Sequence, residues 1–179
     1  LLTVGIRTDN NDKVEKICVN MAEPKLKPEL IPVNIKGVEK ILDYPLTVNG
    51  SEFKMTCVSM GNPHVVIFVN ELSSIDLEKI GPAIENHKLF PNKTNVHFVK
   101  VQNRNEFNMI TWERGSGVTL ACGTGACACA VAAVLTGNCH RKTVAHLSGG
   151  NLELFWSEQD NCIYMTGPAT EVFTGKIDL

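Results

Sequence analysis

The chain has 179 residues, 44% of them apolar and 20% charged, which fits a globular fold of one ordinary or two small domains. A formal net charge of −2 gives no basis for binding nucleic acid or an anionic membrane surface. The longest strongly apolar stretch, Ala126–Leu135, is too short and too alanine-rich to span a bilayer.

Val4–Ile6 and Val14–Met21 read as a strand pair around the polar turn Thr8–Asp12. Thr3–Ile6 resembles the middle of a strand, so the expectation is that part of the natural chain precedes Leu1. The proline-bearing run Glu23–Glu29 is a candidate domain boundary. Short β-like pieces follow at Ile31–Ile35, Leu46–Val48, Glu52–Met60 and Val65–Val69, with Asn49-Gly50 as a hairpin turn signal. Ser73–Phe90 reads as a helical region capped by Ser74 or Asp76 and kinked or divided at Pro82. Strands resume at Asn95–Val101 and Phe107–Glu113. Ala126–Thr136 is apolar nearly all round, which predicts a buried helix ended by Gly137-Asn138. The remainder, Thr143–Leu147, Leu152–Trp156, Cys162–Met165 and Glu171–Phe173, is β-like again. The pattern is α+β: a curled, barrel-like, mostly antiparallel sheet around a central buried helix, with one outer helix.

The chain is organised around Ala121-Cys122-Gly123-Thr124-Gly125-Ala126. A strand leads in and a helix leads out, so Cys122 stands at a helix start. Unpaired N–H groups and the positive dipole end there favour an anion. The same field is expected to lower the Cys122 pKa from ~8.5 into roughly the 3.5–7.5 range. Gly123 and Gly125 let a small carboxylate approach the backbone. The plainer reading is a small-residue turn that serves helix packing.

Three further motifs fall near strand ends or turns. Gly61-Asn62-Pro63-His64 offers an amide and an imidazole that titrates near neutrality, or simply a hydrogen-bonded turn. In Thr94-Asn95-Val96-His97, Asn95 can donate and accept, while the direction of His97 stays open. Glu113-Arg114-Gly115-Ser116-Gly117 pairs a carboxylate with a planar guanidinium fork, suited to an amino acid's ammonium and carboxylate. Its plain alternative is a surface ion pair. Seven cysteines, three of them within Cys122–Cys129, point to reduced thiols in a cytoplasmic protein. A zinc site from Cys127, Cys129, Cys139 and His140 matches no usual ligand spacing.

Taken together, and in this order and spacing, these four motifs resemble those of diaminopimelate epimerase. The resemblance covers nearly the whole chain, with Val118 standing where glutamate is expected. It implies two pseudo-symmetric halves with the site in the cleft between them. It also implies interconversion of L,L- and meso-diaminopimelate for lysine synthesis, without pyridoxal phosphate, metal or any other cofactor. Two cysteines on opposite faces of the substrate move the α-proton. By this resemblance Cys122 is one of them. Gly123 and Thr124 offer N–H donors to the α-carboxylate. Glu113 and His64 tune proton transfer or hold the α-ammonium. Asn62, Asn95 and Arg114 hold the rest of the substrate.

The departure is that no Cys-Gly-Asn turn occurs, and Cys18 and Cys57 lie inside predicted strands. The expected division is therefore 1–24 as the last strands of a truncated N-terminal domain, 25–166 as the C-terminal epimerase domain, and 167–179 as a tail returning to the first. The expected partners are diaminopimelate, the missing N-terminal domain and, through uncovered interdomain surface, a second copy. With half a site, the fragment alone is expected to be inactive. The alternatives are a racemase of proline or hydroxyproline, against which the Glu113-Arg114 pair speaks, and a non-catalytic carboxylate-binding or structural domain.

Overall fold

A computed structural model describes residues 3–170 and 172–177. Strand β1 (Val4–Thr8) pairs with β2 (Val14–Asn20). Then come β3 (Tyr44–Val48), β4 (Ser51–Ser59), β5 (Pro63–Phe68), α1 (Leu77–Glu85), β6 (Asn95–Asn103), β7 (Glu106–Glu113) and β8 (Gly117–Thr119). The last elements are α2 (Gly123–Leu135), β9 (Lys142–Leu147), β10 (Gly150–Trp156) and β11 (Ile163–Pro168). One sheet joins the strands in the order β1-β2-β11-β10-β9-β7-β6-β5-β4-β3, with β8 added to β7. It is antiparallel except at β5–β6 and β7–β9, so the expected curled sheet is mixed at two seams. β1 and β3 remain edges, so the curl does not close.

Alternation along the central strands explains the layers, because successive side chains point to opposite faces. Val58, Val66, Val99, Phe107 and Met109 meet Ala126–Ala133 of α2. Their neighbours Cys57, Val65, Ile67, Val96 and Phe98 face α1 in a second core. β4–β6 are thus covered on both sides, and their buried stretches read as near-continuous apolar runs. α2 touches β4, β5, β6, β9, β10 and β11, so apolar residues stand all around it and no polar stripe is left.

The turn chemistry is specific. Asn49 and Gly50 both have positive φ, as a type I′ hairpin requires. α2 ends in a Schellman motif: Gly137 N–H bonds Val134 and Asn138 N–H bonds Ala133, with Gly137 at φ 75°.

Four expectations are corrected. Ile31–Ile35 is not a strand. It follows a single 3₁₀ turn, Pro28–Leu30, and Pro32 has no N–H for a ladder, yet Ile31, Val33 and Ile35 are buried against the α1 side. In place of one helix over Ser73–Phe90 there is a 3₁₀ turn at Leu72–Ser74 and then only α1, capped by Asp76, whose carboxylate accepts from Lys79 N–H at 3.2 Å. α1 runs through Pro82 undivided. The central helix begins at Gly123, three residues before Ala126. Of the expected Glu171–Phe173 strand, Glu171 lies outside the described residues, and Val172 and Phe173 are not in a strand.

Candidate active site

Cys122 is the N-cap residue of α2, in extended conformation, and is 6% exposed. β8 and a short link deliver the chain to it, and that link is pinned where Gly149 N–H, in the β9–β10 turn, bonds Leu120 C=O at 2.7 Å. Ala126 N–H closes the first helical bond onto Cys122 C=O, so the N–H groups of Gly123 and Thr124 have no carbonyl partner within the helix. The Met165 thioether of β11 lies beside Gly123, 3.1 Å from where a Cβ would stand.

The thiol pKa is raised, against the expected depression. Burial is the main cause and the Glu113 carboxylate adds to it. The Thr124 hydroxyl and Gly125 N–H pull the other way but do not prevail. Desolvation outweighs the helix start in this chain, so the resting group is a thiol.

Asn62 sits in the β4–β5 turn and His64 near the start of β5. His64 Nε2 is 2.9 Å from Asn62 Oδ1, and Asn62 Nδ2 donates to Thr124 Oγ1 at 3.4 Å. Thr124 Oγ1 lies 3.7 Å from Cys122 Sγ. Asn62, His64, Thr124 and Cys122, far apart in sequence, are thereby joined. His64 is fully buried, and burial, then the His97 ring and the Arg114 guanidinium, push its pKa well below the ordinary imidazole range. It does not titrate near neutrality, as the sequence suggested, but stays uncharged.

Asn95 opens β6, and its amide ties two elements together. Nδ2 donates to Pro63 C=O at 2.9 Å and Oδ1 accepts Arg114 N–H at 2.9 Å. By its chemistry the amide has one further donor and one further acceptor position. Arg114 Nη1 donates to Asn92 C=O at 2.8 Å. Glu113 closes β7, near enough to Cys122 to bear on its pKa.

Glu85 and Thr111 escaped sequence reasoning, which leaves His97 without a direction or a role. Glu85 of α1, 4% exposed, accepts Trp112 Nε1–H at 2.7 Å and Gly115 N–H at 3.2 Å, with Lys93 Nζ at 3.5 Å. It fixes the turn that carries Arg114. His97 Nε2 lies 2.9 Å from His64 Nδ1, and His97 Nδ1 lies 3.0 Å from Thr111 Oγ1. The alternation Val96, His97, Phe98, Val99 held the signal: Val96 and Phe98 belong to the α1 core, so His97 faces α2. None of the other six cysteines caps a helix. Cys57 is buried in β4, Cys127 and Cys129 lie inside α2, Cys139 follows it, and Cys18 and Cys162 are in or beside outer strands.

Residues 56–172 match the family model described as diaminopimelate epimerase. The chain is 54% identical over 162 residues to the diaminopimelate epimerase of Microcystis aeruginosa, covering 90% of this chain and 58% of that protein. The enzyme of that name from Desulfitobacterium hafniense is 55% identical over 166 residues, 93% of this chain and 58% of that protein. The chain thus spans little more than half the length of these relatives. Among solved structures, a probable proline racemase from Agrobacterium radiobacter superposes with a TM-score of 0.69 at 13% identity, over 99% of this chain and 57% of that one. A hydroxyproline epimerase from Agrobacterium vitis gives 0.64 at 12% identity, over 93% of this chain and 53% of that one. At such identities these two speak for the fold alone.

Proposed function

The chain belongs to the diaminopimelate epimerase family, and from that premise we propose that it carries one half of a cofactor-independent epimerase site acting on diaminopimelate. The observation that carries this reading is the cap of α2: a buried thiol, Cys122, beside two N–H donors that no helical carbonyl occupies. In this reading the α-carboxylate of the substrate binds Gly123 and Thr124 N–H, where the helix dipole also stabilises charge moving off the α-carbon. Cys122, resting as a thiol, delivers a proton to one face of the α-carbon. As a thiolate it removes the proton when the reaction runs the other way. Substrate binding, which excludes water from the thiol and sets it against the α-carbon, supplies the geometry that proton transfer requires.

Asn62 lines the approach on the β4–β5 side, held by the buried His64 behind it, and with Glu113 holds the α-ammonium or adjusts the proton's path. Arg114, set by Asn95 and Glu85, takes the distal carboxylate in a planar fork. A site that hydrogen-bonds a distal amino-acid group rejects ligands lacking one, which separates diaminopimelate from proline.

The opposing cysteine is assigned to an N-terminal half, as the length of the relatives suggests. Val4 and Ile6 on β1, and Val172, Phe173 and Ile177 in the tail, are exposed apolar side chains suited to that half. Residues 1–24 and 167–179 belong with it in this reading. In its absence the same surface is open to a second copy of this chain. Seven free thiols suit a reducing, cytoplasmic setting, and the proposed reaction on diaminopimelate gives the protein a place in lysine synthesis. The test is to incubate L,L-diaminopimelate with the protein completed to the length of its relatives and to separate the stereoisomers. Formation of the meso form is expected. Its absence from folded, reduced protein contradicts the assignment.

A further inference from the structure

The N-cap of a helix is ordinarily fixed by its own side chain, which accepts an N–H of the first turn. Cys122 makes no capping hydrogen bond, so the cap of α2 has to be held from outside. On one side Ala126 N–H bonds Cys122 C=O, and on the other β8 ends at Thr119. Between these anchors stand Leu120 and Ala121, both exposed and outside any strand or helix. Among the described residues their only backbone hydrogen bond is the one from Gly149 N–H to Leu120 C=O at 2.7 Å.

Gly149 is the second residue of the two-residue turn Ser148-Gly149 that joins β9 to β10, with Leu147 and Gly150 paired across its base. The turn is exposed. The φ of Gly149 is not positive, so its backbone conformation does not call for glycine. What excludes a side chain there is the link. A Cβ on Gly149 would stand 3.1 Å from Leu120 O and 3.3 Å from Ala121 Cβ, and at such distances the link has to give way by a few tenths of an ångström. Gly150 is the opposite case. Its φ is 137°, which side chains disfavour, yet a Cβ there would meet no atom within 4 Å. The two neighbouring glycines thus serve different ends: contact with the link at 149, and conformation at 150.

We propose that Gly149 is a positioning residue for the epimerase site: it bonds Leu120, leaves no atom between turn and link, and so sets the path on which the chain enters α2 and the place of the Cys122 sulfur beside the Gly123 and Thr124 N–H groups. The consequence for turnover rests on the epimerase reading. The placement of the thiol does not. Gly149 acts through the link and touches no proposed substrate atom. Asn95 on β6 and Arg114 after β7 are held by other contacts, so a change at 149 bears on the step at Cys122 more than on substrate binding. The competing arrangement is a turn that merely folds the β9–β10 hairpin. Substitutions at 149 and 150 would then act alike, through stability.

The test compares Gly149→Ala with Gly150→Ala. Alkylation of Cys122 by iodoacetamide is read by peptide mapping in the 179-residue chain, with the other six cysteines as internal references. In the completed protein, kcat and KM are measured on diaminopimelate. A thiol only 6% exposed gains access when its cap is displaced. Gly149→Ala is expected to quicken alkylation of Cys122 alone and to keep the urea unfolding midpoint of the parent. Its kcat is expected to fall by about 3- to 10-fold at unchanged KM, a fraction of the roughly 100-fold that a full ångström's misplacement costs. Gly150→Ala is expected to lower the urea midpoint and to keep the parent Cys122 rate in the folded protein. A parent-like Cys122 rate in Gly149→Ala overturns the proposal. So does a Gly150→Ala variant that quickens Cys122 equally, because the turn's integrity is then the cause. A quickening shared by the buried Cys127 and Cys129 overturns it as well, since that reports a general loosening. Alkylation needs no turnover, so the expected rates in a protein that forms no meso-diaminopimelate contradict only the epimerase reading.

Discussion

Gly125 lies directly against the His97 ring: a Cβ on Gly125 would stand 2.3 Å from Cε1 and 2.9 Å from Nε2. It would also stand 3.0 Å from Cys122 Sγ. The second glycine of the central turn is therefore required by the imidazole and the thiol packed on either side of it, and its φ is not positive. Gly125→Ala is expected to destabilise the fold by about 1–3 kcal/mol, the usual cost of overpacking a core. Urea unfolding of the two proteins checks this. Equal stability would mean that His97 can move aside.

Gly123→Ala makes the contrast. The atoms nearest its new Cβ are Met165 Sδ at 3.1 Å and Cε at 3.2 Å, the end of a flexible side chain. Stability should hold within about 1 kcal/mol, since alanine also favours the helix. The added methyl displaces a carboxylate from the first N–H groups, so kcat/KM in the completed protein should fall by about 100-fold, the scale of an ångström's misplacement. Steady-state kinetics on diaminopimelate decide it.

Glu85 touches no proposed substrate atom, yet it holds the Arg114 turn. Glu85→Ala leaves the Trp112 and Gly115 N–H groups without their buried acceptor. The expected loss is about 1–3 kcal/mol for each such group. Any KM rise in this variant should resemble that of Arg114→Ala. Arg114→Ala itself should keep the fold, because the bond to Asn95 comes from its backbone N–H. Its KM should rise about 10- to 100-fold, the loss of a charged hydrogen-bonded pair. Arg114→Lys should recover only part of this, lacking the planar fork.

The two histidines give a stability profile with a defined sign. His97 is held down to about 3 by burial, and His64 is held well below the imidazole range by burial, His97 and Arg114. Both are neutral when folded and protonate near pH ~6.5 when unfolded. The unfolded chain therefore binds more protons below about pH 6.5, and stability falls as pH drops from there toward 3. Each histidine contributes a slope of at most ~1.4 kcal/mol per pH unit. His97→Gln should show a shallower slope than the parent between pH 6 and 4.5 in urea titrations. Identical slopes would contradict a neutral His97 in the folded state.

Much of this fold was legible because its hairpins announce themselves. Asn49-Gly50 separates two β-like runs, and the alternation of β3 and β7 matches the burial found. The central helix was legible from its lack of a polar face. Ile31–Ile35 misled because Pro32 interrupts a buried alternation that needs no ladder. β8 was missed because three residues inside a glycine turn carry no period. At the site, the motif residues were legible as residue types, but the consequences of burial were not. The helix start suggested a low Cys122 pKa, and the position of His64 suggested titration near neutrality. Both expectations failed because desolvation depends on neighbours distant in sequence. Glu85, His97 and Thr111 acquire their roles only when α1, β6 and β7 are packed together.

The most direct test of the account is deuterium uptake at the α-carbon of diaminopimelate in heavy water, catalysed by the completed protein and by its Cys122→Ala variant. The account predicts rapid uptake by the parent and loss of that uptake in the variant, with the fold intact. Undiminished uptake in Cys122→Ala would contradict the assignment of the α2 cap as one of the two proton-transfer groups.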